Sequence, residues 1–148
     1  MSIHQPGSLE AVARVRRVRE RDSLMGLQQA IREVTEAQQR VTALESHLEL
    51  VSSGTSENLD GFVAVRTRLL GVAQALTSAQ ETVESSRNLA AFALAHWQRD
   101  KSRLKAIEML QGRRAEEARA WAARVEAKEL DDIATQLWQR RDRAEVVA

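Results

Sequence analysis

The chain has 148 residues, a formal net charge of +1, one proline, no cysteine, no tyrosine and only 3% aromatic residues. That usage favours long helices over a layered α/β core and supplies few large side chains to wall a small-molecule pocket. Without cysteine there are no disulfides, thiolate metal sites or cysteine nucleophiles, and no apolar run approaches the ~20 residues of a membrane span.

Residues 1–8 hold Pro6 and Gly7 and read as a frayed lead-in without an apolar signal core. From Leu9 the pattern predicts a helix over 9–51. Leu27, Val34, Val41 and Leu48 repeat by seven, and Ala30, Ala37, Leu44 and Val51 follow three residues later. This is a heptad seam. Upstream, Leu9, Val12, Val15, Val18 and Met25 run out of phase with it, which predicts a stutter near Met25 and Gly26.

The stretch SSGTSEN, residues 52–58, is the strongest breaker between periodic segments. It predicts a turn over 52–56, with Gly54 left-handed at the helix end and Thr55 or Ser56 capping the next helix. So short a connection makes the two helices antiparallel neighbours.

The second helix is predicted over 57–142, near 130 Å at 1.5 Å per residue. Phe62, Leu69, Leu76, Val83, Ala90, Trp97 and Leu104 form one line of its seam. Val65, Val72, Ala79, Ser86 and Ala93 form the other, and the repeat then decays through Gln111, Arg114 and Ala118. A turn centred at residue 54 sets residue i opposite roughly 108 − i, by equal rise. On that count the second helix has no partner in the chain beyond about residue 105. The fold class expected is all-α: a two-helix antiparallel coiled-coil hairpin, one body over 9–148, whose longer second helix extends beyond the first.

Charge is distributed unevenly. Residues 9–21 carry five arginines against two acids, 22–60 two arginines against seven acids, and 99–119 seven bases against four acids. The hairpin is therefore expected to be acidic at the turn and basic at its open end. Arg14, Arg17 and Arg21 share one helix face. Such a face is solvated, or meets an acidic protein partner steered by charge. Nucleic acid or a membrane surface are rival partners, though basic DNA-entering helices are usually denser in charge and the overall charge here is near zero. The favoured reading is the acidic protein.

Other chemistry lacks support. Glu126, Glu129, Asp131 and Asp132 crowd one stretch, but a hard cation wants six or more oxygens in a folded loop. These acids read as the solvated side of a helix. His4, His47 and His96 are scattered without zinc-ligand spacing; His96 and Asp100, four apart, suit a surface hydrogen bond. Neither a nucleophile elbow nor a phosphate-binding P-loop occurs. No catalytic, cofactor-binding or metal residue is assigned, and a non-enzymatic protein is expected.

Leu130, Ile133, Leu137 and Trp138 form an apolar stripe near the C-terminus, and Trp121 is a further large apolar group on a charged helix. With no partner expected within the chain, the stripe pairs with another chain, folds back, or forms an interaction site.

Two stretches resemble a known family. The start, LEAVARVRRVRERDSLMGLQQAIRE, is arginine-rich and opens a helical hairpin. The close, SRLKAIEMLQGRRAEEARAWAARVEAKELDDIA, is similar to the C-terminal signature of the FliJ family of flagellar export proteins: basic and leucine-containing, then paired arginines, then Glu126, Lys128, Leu130, Asp131 and Asp132. Gly112, just before the arginine pair, departs from the usual helix formers there. The resemblance implies a cytoplasmic component of the flagellar type III export apparatus, peripherally associated with the inner membrane at the flagellar base. It implies a stalk-like coiled coil that binds the hexameric export ATPase, the membrane protein of the export gate and empty export chaperones, and that supports flagellum assembly, motility and chemotaxis. On that reading Arg14, Arg16, Arg17, Arg21, Arg113 and Arg114 face the ATPase ring and the hairpin middle meets the gate; the apolar residues Trp121, Leu130, Ile133, Leu137 and Trp138 are expected, from the sequence pattern alone, to give a second contact. A generic coiled-coil scaffold or adaptor is the alternative, and a basic helical nucleic-acid-binding protein a more distant one.

Overall fold

A computed structural model describes residues 6–147. They form two α-helices and no strand: α1, Pro6–Ser52, and α2, Leu59–Val147. Residues 1–5 of the expected lead-in lie outside the described residues. The remainder of that lead-in is helical, because a proline in a first turn lacks only an N–H that would have no intrahelical partner. α2 continues through Gly71 and Gly112 without a break.

The connection differs from expectation in its chemistry. No described glycine has a positive φ, so Gly54 is not a left-handed cap. α1 ends instead on Ser53 N–H donating to Glu49 O at 3.1 Å. The cap of α2 is Asn58, not Thr55 or Ser56: its Oδ1 accepts from Gly61 N–H at 2.8 Å, which satisfies one of the donors a helix start leaves open. Gly61 has a steric reason to be glycine, since a Cβ there would overlap the Ser56 hydroxyl and approach Asn58 Oδ1 to 2.9 Å.

The contacts fall into two compact units. The larger is Arg14–Leu104, an antiparallel pairing of α1 with α2. In it Ser23 meets Asp100, while Gln38, Val41 and Thr42 lie along Gln80, Val83 and Arg87. All eight residues of the α1 heptad lines from Leu27 to Val51 are buried or half-buried. So are their counterparts on α2 from Val65 to Leu104, whereas Phe62, expected in the seam, is exposed. Leu27, Ala37, Ala79 and Val83 are the most enclosed apolar residues of this unit.

The expected stutter is absent. Val12, Val15, Val18 and Met25 are exposed, Met25 by 61%. The buried line runs instead through Ala13, Arg16, Glu20 and Ser23 to Leu27, which keeps the seven-residue spacing of the later seam. The physical reason is that helix phase is set by the partner helix. A fixed period carries polar residues into the seam when they find partners there.

The facing residues also differ. Equal rise from residue 54 would set Ser23 opposite residue 85 and Glu20 opposite residue 88. Ser23 in fact meets Asp100, and Glu20 meets Trp97. The seam ends at Val51 on α1 and resumes at Val65 on α2, so its centre lies well beyond residue 54.

The smaller unit joins residues up to Ala13 with those from Lys105 on. Glu10 accepts a 2.9 Å hydrogen bond from Gln111 Nε2, and Ile107, Gln111 and Arg114 are half-buried. The intramolecular seam thus lasts to Arg114 rather than residue 105. Past it, every described residue except Val125 is exposed. Among the described residues no ion pair joins Arg113 to Glu116 or Glu117. Helix over this stretch follows from its alanines, arginines and glutamates, which are strong helix formers.

Candidate functional site: a polar seam and two exposed faces

The polar part of the seam is the most structured side-chain cluster in Arg14–Leu104. Asp100 lies seven residues after Ala93 and Ser23 seven before Ala30, so the heptad delivers both to the helix interface. Asp100 is 5% exposed and Ser23 9%. Ser23 Oγ stands 2.8 Å from Asp100 Oδ2 and 2.7 Å from the Arg19 carbonyl oxygen. It has one proton to donate, so these two acceptors share it.

Around that carboxylate, His96 Nε2 lies 3.4 Å from Oδ2 and Arg103 Nη1 3.9 Å from Oδ1. The Ser23 hydroxyl holds the Asp100 carboxyl below its ordinary value of 3.8; burial opposes this, and His96, Arg103 and Arg19 reinforce it. The four-residue spacing of His96 and Asp100 suits a surface contact, but Asp100 is interior. The signal that could have found it was its place on the Ala79–Ser86–Ala93 line.

One turn away, Trp97 Nε1 donates to Glu20 Oε1 at 2.8 Å, and Lys101 Nζ sits 4.6 Å from the centre of the Trp97 ring. A cation over an indole face is attracted by the ring quadrupole. Buried polar groups that are mutually satisfied specify one alignment of two helices, because a slipped alignment leaves them unpaired. A shallow groove of about 540 Å³ beside this cluster is lined by Arg19, Gly26, His96 and Asp100 among others. Among the described residues no group of three His, Cys, Asp or Glu side chains is placed to hold a metal ion. No described helix is long and apolar enough to cross a membrane.

The arginines separate into two kinds. Arg14, Arg17 and Arg21 are exposed, on one face of α1 by helical spacing. Arg16 is half-buried in the seam, and its Nη1 is buried without a hydrogen-bond partner among the described residues. In the smaller unit, Arg113 is exposed and Arg114 half-buried. The six therefore do not form one uniform surface set.

The C-terminal apolar residues are all open. Trp121 is 67% exposed, Leu130 61% and Trp138 66%, with Ile133 and Leu137 similar. Leu130, Ile133 and Leu137 share a face by their three- and four-residue spacing, with Trp138 at its edge. Trp121 precedes Leu130 by nine residues and so lies about 180° round the helix. It is not part of that stripe.

What the fold and its seam define is an all-α hairpin of the coiled-coil class, with charged and apolar faces exposed. A family model described as the flagellar FliJ protein matches residues 5–143. The chain belongs to the FliJ family, whose members are components of the flagellar export apparatus. No curated protein and no solved structure matches the chain.

Proposed function

We propose that this chain works without catalysing a reaction, as the part of the flagellar export apparatus that contacts the export ATPase ring, and that it also meets the export gate and export chaperones at the cytoplasmic face of the membrane. Family membership supports the setting. The observation that carries the ATPase contact is the exposed face of Arg14, Arg17 and Arg21, three guanidinium groups on one side of α1. Such a face speeds and orients docking onto an acidic surface. Arg113 adds an exposed charge of the same sign. Arg16 and Arg114, half-buried in the seam, contribute less than the exposed four. The exposed stripe of Leu130, Ile133 and Leu137 offers the apolar anchor that charge alone does not provide.

The test is binding of the purified export ATPase to the full chain and to the Arg14→Glu, Arg17→Glu double variant, with helicity checked by circular dichroism. The expected result is at least about tenfold weaker binding at unchanged helicity, equivalent to about 1.4 kcal/mol. Unchanged affinity would remove these arginines from the contact. Salt-sensitive binding to DNA with no ATPase contact would overturn the reading as a whole.

A further inference from the structure

The exposed C-terminal part of α2 carries a pattern that complements itself. Ala123, Leu130, Leu137 and Ala144 recur at seven-residue steps, and Ile133 lies between them. All are exposed. Acids dominate the first half of the segment: Glu126, Glu129, Asp131 and Asp132 against Arg124 and Lys128. Arginines dominate the second half: Arg140, Arg141 and Arg143 against Asp142 and Glu145. Ile133 and Leu137 sit between a mainly negative block and a mainly positive one.

We propose that residues 123–147 pair antiparallel with the same segment of a second copy of this chain, about a two-fold axis near Thr135. Antiparallel helices in a coiled coil set the two core positions of the heptad against each other. With the axis near Thr135, Leu137 packs on Ile133 of the second copy, and Ile133 on its Leu137. Glu129 then stands beside Arg143 of the other copy, twice by symmetry. Arg140 lays its aliphatic stem along the opposite Leu130 and brings its guanidinium towards the opposite Glu126. A parallel, in-register pairing would instead set acid on acid and arginine on arginine, a like-charge arrangement that costs stability. A second copy is the occupant because both halves of the charge pattern are in this one segment. Trp121, on the far side of the helix, takes no part. This pairing does not depend on the ATPase contact through Arg14 and Arg17.

The natural absence of cysteine makes the geometry directly readable. Gln136 falls beside the axis and meets its own counterpart, whereas Ala123 faces the neighbourhood of residue 147. In the full chain, Gln136→Cys should be joined into a dimer by a short bifunctional thiol reagent, and Ala123→Cys should not. Joining of both would establish a parallel pairing and overturn the proposal. Joining of neither, with a monomer in sedimentation at hundreds of micromolar, would overturn it too. Charge reversal supplies the independent arm. Glu129→Arg should weaken the dimer at least about tenfold, since both symmetric pairs become repulsive. Adding Arg143→Glu should restore it, and failure to restore it contradicts the assigned pairing. Both residues are exposed, and circular dichroism checks that the hairpin is intact in each variant.

Discussion

Residues 14–104 and residues 115–147 are both helical, both charged and both supplied with apolar residues, yet they use those residues in opposite ways. In the first, the seven-residue lines enclose Leu27, Ala37, Ala79 and Val83 between α1 and α2. In the second, Leu130, Ile133, Leu137 and Trp138 stand more than half exposed. The difference teaches that apolar spacing alone does not make a core. A seam is buried only where the chain supplies its own facing helix, and elsewhere the same spacing leaves its apolar residues exposed.

The contrast should show first in the response to a buried charge. Val83→Asp would place a carboxylate at a seam position that is 7% exposed, at a cost of about 3 kcal/mol. Urea unfolding followed by circular dichroism should show a clear fall in midpoint, and a midpoint within error of the parent would mean the seam is not as described.

The polar part of the seam predicts an acid effect. A carboxyl held below its ordinary 3.8 in the folded chain stabilises it above that pH, and the contribution is lost as the pH falls through the folded value. The parent should therefore lose stability more steeply than Asp100→Asn between about pH 5 and pH 3. Parallel acid limbs for the two proteins would show that Asp100 is not held in its ionised form by Ser23, His96, Arg103 and Arg19.

The smallest effects are expected at exposed apolar residues. Met25→Gln and Leu137→Gln should each leave the urea midpoint of the hairpin within about 0.5 kcal/mol of the parent. Met25 matters here because out-of-phase reading of the sequence would have placed it in the core. A large loss at Met25 would restore the stutter that the structure lacks.

Much of the fold was legible because a heptad is a strong signal wherever its residues are apolar. The seam positions from Leu27 to Val51 and from Val65 to Leu104 follow from spacing alone. The reading failed where the period is carried by polar residues. Arg16, Glu20, Ser23 and Asp100 hold seam positions, but their chemistry hides the repeat, while Val12, Val15 and Val18 imitate a competing one. Residue type thus misled where partner geometry decides burial. The Asn58 cap was missed for a related reason: Thr55 and Ser56 have the same capping chemistry, and only the backbone path selects among them. Of the candidate site, the shared face of Arg14, Arg17 and Arg21 follows from their spacing, and the exposure of Leu130 and Leu137 from the lack of a facing helix in the chain past Arg114. The half-buried Arg16 and Arg114 could be told apart from them only by extending both heptad lines through charged residues.

The central contrast is that one stretch of α2 is covered by its own chain and another is exposed. Amide hydrogen exchange over a dilution series tests it most directly. Residues 65–100 should exchange slowly at every concentration, because α1 covers them. Residues 116–147 should exchange fast when dilute and gain protection only as concentration rises. Equal protection of both stretches in the most dilute sample would contradict the account.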